Sequence, residues 1–405
     1  MRAERFELAG LWLAIFAQTT SFTAYSPLVP LMRADLGFSY TDFGLLATAF
    51  YIPYTALQVF SGSLAGRGRI RSLMLPGMAA IIASTALLGA VTNLTEALVL
   101  RFVTGAGGAM IFVPSVMVIT RRYPDRTNFA LGAYGTGVAA GPLFVSLAAP
   151  TLGTYVGWRL AMPALMLPTV AVWAIIYLGV RNFSPPARTK GKGSSVGWVG
   201  VLKNRTTWLL GYQQLARVGM WATFLTFLPT FFTAGLGYPM VTASAALTVF
   251  AVLAMLSSVL GARLVTTMNS NAKVTMLSLA AMAVGLMLIG FTVPGALPWV
   301  LAGVLGLVVF MAFGPQLTMA TQFFPLEVLG FAIGVQTVLA NVGATVIPFV
   351  FGDLRDATGS FEASWELCGL LCAAAALVGL ALWRQETKLA AERSPSYEVV
   401  GAQAS

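Results

Sequence analysis

Apolar runs long enough to cross a bilayer recur twelve times along this 405-residue chain, and that recurrence constrains its fold more than any other feature. They fall at approximately 9–32, 41–62, 72–92, 95–119, 128–150, 159–180, 207–233, 241–263, 273–293, 298–320, 330–352 and 364–383. Hydrophobic residues make up 58% of the chain and charged residues only 9%, against about a quarter charged in soluble domains. Mean hydropathy is +0.81. Hydrocarbon offers the backbone no hydrogen-bond partners, so runs of this length read as helices, and the fold class is an all-α membrane protein. The first run follows Met1-Arg2 like a signal peptide. It is too long for one, contains Pro27 and Pro30 and lacks a small-residue cleavage pattern, so it reads as a mature helix.

The net charge of +10 could suggest nucleic acid, but the placement of the cations argues against it. With the N-terminus inside, the alternating loops and tails put 19 of the 24 cations on the inner side, among them Arg67, Arg121, Arg188, Lys203 and Lys273. Only Arg33, Arg159 and Arg355 fall outside. The positive-inside rule then predicts a multi-pass protein of the cell inner membrane with both termini cytoplasmic and no nucleic-acid partner. All 14 carboxylates lie at span ends, in loops or in tails. There is no histidine, and the two cysteines, Cys368 and Cys372, sit one helical turn apart in an apolar run. Neither a disulfide framework nor a metal-ligand pattern follows, and no cofactor is expected. No paired deep carboxylates or nucleophile–base constellation suggests an enzyme.

The halves of the chain resemble each other at an offset near 200. Pro30, Leu36 and Gly37 match Pro229, Leu236 and Gly237; Gly105, Phe112, Pro114, Thr120 and Pro124 match Gly306, Phe313, Pro315, Thr321 and Pro325. The implied architecture is two six-helix bundles in parallel orientation: residues 1–180, a basic cytoplasmic linker at 181–206, residues 207–384, and a cytoplasmic tail at 385–405. Three local motifs add to this. Gly62-Ser-Leu-Ala-Gly66-Arg67-Gly68-Arg69-Ile-Arg71 follows the second span, Arg101-Phe-Val-Thr-Gly105-Ala-Gly107 lies in the fourth, and Gly137-Val-Ala-Ala-Gly141-Pro142 lies in the fifth. Together with the repeat, these motifs resemble the major facilitator superfamily of secondary transporters across nearly the whole chain. The loop motif departs from the family pattern, with Gly66 at its acidic position. The Gly141-Pro142 pair is similar to an antiporter motif and equally suits close helix packing.

Two cations fall inside spans. Arg217 lies about ten residues, or roughly 15 Å, from the inner start of the seventh run. An unpaired arginine there costs at least about 2.5–3.5 kcal/mol. Gln213, Gln214, Arg217, Met220, Trp221 and Phe224 share a face by helical spacing. Arginine's fork binds planar anions bidentately, which makes Arg217 a candidate anion ligand; bracing broken-helix carbonyls is the alternative. Arg101 lies about two turns from its outer end, and substrate binding and a structural role both remain open. The resemblance implies that helices one, four, seven and ten line a central cavity, which adds Gln18 and Gln316; Tyr25 and Tyr51 complete the candidate set. Tyr54, Gln58 and Asn341 are further polar candidates that could equally bond neighbouring helices.

These readings predict secondary active transport of a small anion, such as a carboxylate, by alternating access in a monomer surrounded by lipid. Symport and antiport both remain open. The alternative is proton-coupled efflux of a drug or toxic metabolite.

Overall fold

A computed structural model describes residues 2–66, 70–123, 127–179 and 198–393. The described residues form helices and turns, without strands. The first crossing is α1 (Arg2–Thr23), a short 3₁₀ turn and α2 (Val29–Leu36). Then come α3 (Tyr40–Gly66), α4 (Ile70–Leu87), α5 (Leu94–Arg122) and the long α6 (Thr127–Gly179). The second half runs from the short α7 (Trp198–Lys203) to α8 (Arg205–Thr230), α9 (Met240–Met268), α10 (Asn271–Ile289), α11 (Ala296–Val309), α12 (Phe313–Phe323), α13 (Leu326–Thr358) and α14 (Glu362–Arg393).

Among the described residues, ten stretches are long and apolar enough to cross a membrane. One of them, Ala133–Tyr177, has 45 residues, about twice the length a crossing needs. It reverses at Gly157, whose φ of 75° is costly for any residue with a Cβ. That double stretch and the first helix bring the crossings to twelve.

The internal repeat reappears as packing. Gly105 of α5 lies against the Phe50 carbonyl of α3, and Gly306 of α11 lies against the Phe250 carbonyl of α9. Gly141 of α6 abuts Thr19 and Thr20 of α1, and Gly343 of α13 abuts Leu215 of α8. A side chain at any of these positions would push two backbones apart, so the sequence spacing of small residues becomes a spacing of helix contacts. Close packing is therefore a sufficient reason for Gly141. Cys368 and Cys372 are buried and free.

The ends are named outer and inner as the charge rule orients them. Five pairs of described residues hydrogen-bond between the bundles. Ser26 Oγ donates to the Thr226 carbonyl at 3.0 Å. These residues are 200 positions apart, so the contact lies near the pseudo-twofold axis. Thr48 Oγ1 donates to the Thr345 carbonyl at 2.7 Å, and Ser146 and Thr248 share a 2.7 Å hydroxyl contact. By the offset these two contacts are repeat mates on opposite seams. At the outer end, Asp356 of α13 accepts from both the backbone N–H (2.6 Å) and the hydroxyl (2.8 Å) of Thr41, in the first turn of α3. A carboxylate from one bundle thus caps a helix of the other. The innermost of the five joins Asn341 Nδ2 to Gln58 Oε1 at 3.4 Å.

Of the expected linker, residues 181–197 lie outside the described residues, and part of the remainder forms α7. Arg67, Gly68 and Arg69 of the loop motif, Pro124 of the repeat, and residues 394–405 of the tail also lie outside them.

Candidate functional site

Arg217 is 3% exposed, and the span that carries it is the most enclosed of the ten. Its Nε donates to Gln316 Oε1 of α12 at 2.8 Å, and its Nη2 donates to Gln214 Oε1 at 2.6 Å. The Phe313 and Phe310 ring centres lie 5.5 and 6.0 Å from the guanidinium carbon. No carboxylate among the described residues lies within ion-pair distance. Two neutral amide oxygens therefore hold the cation and leave its charge uncompensated. Among the described residues Nη1 has no hydrogen-bond partner, and it is absent from the fully buried unpartnered atoms.

The tenth crossing breaks just where Arg217 meets it. α11 ends at Val309, α12 starts at Phe313, and Gln316 sits in the first turn of α12. The break comes before the Gly314-Pro315 pair. Pro315 falls within the first turn of α12, where a missing N–H is tolerated. Backbone groups at the break find other partners: Ser278 Oγ donates to the Val308 carbonyl at 2.7 Å, and the Phe310 N–H donates to Ser257 Oγ at 3.0 Å. Arg217 bonds side-chain amides only, so it is not needed to satisfy the broken backbone.

The face read from helical spacing divides. Gln213 is fully buried and donates to the Ala375 carbonyl of α14 at 3.2 Å, away from Arg217. Trp221 packs against Phe310 and Phe250, at 4.7 and 5.6 Å between ring centres, on the Arg217 side. Gln214 and Val218 are only half-buried, so this strip of α8 is less covered by neighbouring helices.

Arg101 is set differently. It is 1% exposed, and it donates from Nε to the Leu46 carbonyl and from Nη1 to the Ser21 carbonyl, both at 3.2 Å. Tyr25, Phe50 and Phe22 surround it at 4.8, 5.1 and 5.4 Å from their ring centres. Its Nη2 and the Tyr25 hydroxyl are buried without a partner. Tyr51 joins the same aromatic cluster through Phe22, Phe50 and Tyr54. Gln18 is 5% exposed, with its Oε1 buried and unpartnered. Its amide nitrogen and the Tyr54 ring share the space left by Gly108.

The structure thus groups Arg217 with Gln214, Gln316 and Trp221, and separately groups Arg101 with Tyr25 and Tyr51. Gln18 lies on α1, one turn inward of Ser21, whose carbonyl holds Arg101. The spacing argument did not single out Phe310 and Phe313. Phe313 is the repeat mate of Phe112, and Phe310 and Phe313 both lie just before Gly314-Pro315; that placement is the sequence signal for them.

Comparison with known proteins bears on the fold and the family. A probable sulfoacetate transporter of Cupriavidus necator is 23% identical over 383 residues, covering 87% of each chain. A multidrug resistance protein of Salmonella choleraesuis is 26% identical over 157 residues, covering 38% of this chain and 39% of its own. The crystal structure of a bacterial homologue of the human lysosomal transporter Spinster, inward-facing and unoccupied, superposes with a TM-score of 0.80 at 16% identity, covering 96% of this chain and 98% of its own. The same homologue in an occupied conformation gives 0.75. These relatives are transporters, not enzymes. The family model described as Major Facilitator Superfamily matches residues 11–348. With twelve crossings, a repeat expressed in matching helix contacts and this match, the chain belongs to the major facilitator superfamily.

Proposed function

We propose that this protein carries a small organic anion across the cytoplasmic membrane by alternating access, with Arg217 as the anion ligand and Gln214, Gln316 and Trp221 around it. The reading rests on one observation: among the described residues, a buried guanidinium is clasped by two neutral side-chain amides, with no carboxylate partner. Such a group attracts anions and repels cations. A carboxylate or sulfonate would accept from the guanidinium fork and offset the cost of keeping the charge in the membrane. The relative named for sulfoacetate, matched over 87% of both chains, agrees in charge class. Both termini are assigned to the cytoplasm by the 19 inner cations.

Drug efflux is the second reading, favoured by the partial match to a multidrug resistance protein. Cationic drugs fit poorly, since no carboxylate among the described residues pairs with Arg217 or Arg101 at depth. Glu96 is unsuited to carrying a coupling proton: it is exposed, its carboxylate accepts from the Thr92 N–H at 2.7 Å, and its own N–H donates to the Asn93 cap at the start of α5.

Purified protein in liposomes tests the proposal. Labelled sulfoacetate or a small carboxylate should accumulate, and Arg217→Gln should abolish uptake while the protein stays folded. Uptake of cationic drugs driven by a proton gradient, with no effect of organic anions, would replace this reading with the second.

A further inference from the structure

Alternating access requires that the substrate touch both bundles, because a ligand bound equally well in every arrangement of the bundles shifts none of them. Arg217, Gln214 and Gln316 all belong to the C-terminal bundle. Its partner groups must come from the N-terminal bundle at the same depth.

Helix contacts fix that depth. Gly343 lies against Leu215, Gly211 against Leu339 and Gly219 against Ile347, so α8 and α13 run side by side in the same direction. In this register Asn341 is level with residue 213. The Arg217 side chain leans toward the N-terminus of α8, down to Gln214, which brings its guanidinium within about one turn of Asn341. Asn341 bonds Gln58 of α3. Tyr54, one turn further out on α3, is 9% exposed, and its ring and the Gln18 amide nitrogen both border the space left by Gly108. Gln18, Tyr54, Gln58 and Asn341 therefore form a chain of neutral polar groups that crosses from bundle to bundle at the depth of the cation.

Two features of this chain are incomplete. Gln18 Oε1 is buried with no donor. The Gln58–Asn341 contact, at 3.4 Å, is at the long limit for a hydrogen bond and is the innermost of the five interbundle pairs. It is a contact that an incoming group can replace at little cost.

We propose that Tyr54 and Gln58 are specificity-determining residues: they read a hydrogen-bonding group at the end of the substrate remote from Arg217, and that group displaces Asn341 from Gln58. This rests on Arg217 as the anion ligand. The favoured substrate is then bifunctional, an acid at one end and a hydroxyl or second acid at the other. The cation holds one end, and the neutral amides and phenol read the other. A bridging substrate also ties the two bundles together, which links occupancy to their rocking.

The test is binding to purified wild-type protein of ethanesulfonate, 2-hydroxyethanesulfonate and sulfoacetate, with Gln58→Leu, Tyr54→Phe and Arg217→Gln alongside. Wild type should favour the two bifunctional anions over ethanesulfonate by roughly five- to tenfold, the size of one net hydrogen bond. Gln58→Leu should erase this preference and leave ethanesulfonate binding unchanged; Tyr54→Phe, which removes one oxygen, should reduce it partway. Equal wild-type binding of all three anions, or a preference that survives in both folded variants, overturns the proposal and leaves the Arg217 reading standing. Unchanged binding of all three to Arg217→Gln overturns that reading itself. Thermal unfolding of each variant separates lost recognition from lost fold.

Discussion

The two intramembrane arginines have the same charge and nearly the same burial, yet their surroundings differ in kind. Arg101 donates to two backbone carbonyls on two different helices and is enclosed by three aromatic rings. Arg217 donates to two side-chain amides, and each arginine leaves one nitrogen without a partner among the described residues. Carbonyl partners tie Arg101 to α1 and α3, so its removal leaves the joints of a bundle unpaired. Amide partners can turn without disturbing any backbone, which is what the proposed ligand role of Arg217 requires. On the proposed function, the cation bonded to main chain braces the fold and the cation bonded to movable side chains takes the ligand.

Substitutions can break this contrast. The largest effect is expected at Arg217→Gln. It removes charge-assisted hydrogen bonds worth about 1.5–3 kcal/mol each, so anion binding should fall by at least about 100-fold while the melting temperature holds. Isothermal titration and thermal unfolding on one preparation check both halves. Arg101→Gln should do the reverse. Stranding the Leu46 and Ser21 carbonyls costs about 1–3 kcal/mol, read as a lower unfolding temperature and less monodisperse protein. A stable Arg101→Gln that has lost all binding would erase the distinction.

Gly105→Val probes the same joint from the other side. The added side chain forces α5 off the Phe50 carbonyl, beside the ring that faces Arg101. Overpacking of this kind costs about 1–3 kcal/mol, and the variant should resemble Arg101→Gln in thermal unfolding rather than Arg217→Gln in binding. The mildest change is Arg217→Lys. It keeps the charge and loses the fork, so binding should weaken roughly tenfold and the fold should be untouched. A lysine variant as inactive as the glutamine variant would mean that planar geometry, more than charge, selects the ligand.

Much of this was legible in the sequence because the membrane permits few solutions. Helices, their number and the two bundles follow from apolar run length and a repeat near 200 residues. The depth of Arg217 follows from counting along one helix. The division of its helix face did not: Gln213 and Gln214 are adjacent in sequence, but one turns to Ala375 and the other to Arg217, because α14 and α12 cover different sides of α8. Likewise, spacing made Gln316 a candidate, while its bond to Arg217 depends on where the tenth crossing breaks.

The sequence by itself determined a twelve-span, two-bundle membrane protein with two stranded cations, since hydrophobic length and charge placement act locally and need no knowledge of neighbours. Only the tertiary structure decided which cation is tied to backbone and which is held by amides. That choice depends on helices far apart in the chain meeting at one depth. Leu46 and Ser21 reach Arg101 from α3 and α1, and Gln316 reaches Arg217 across 99 residues.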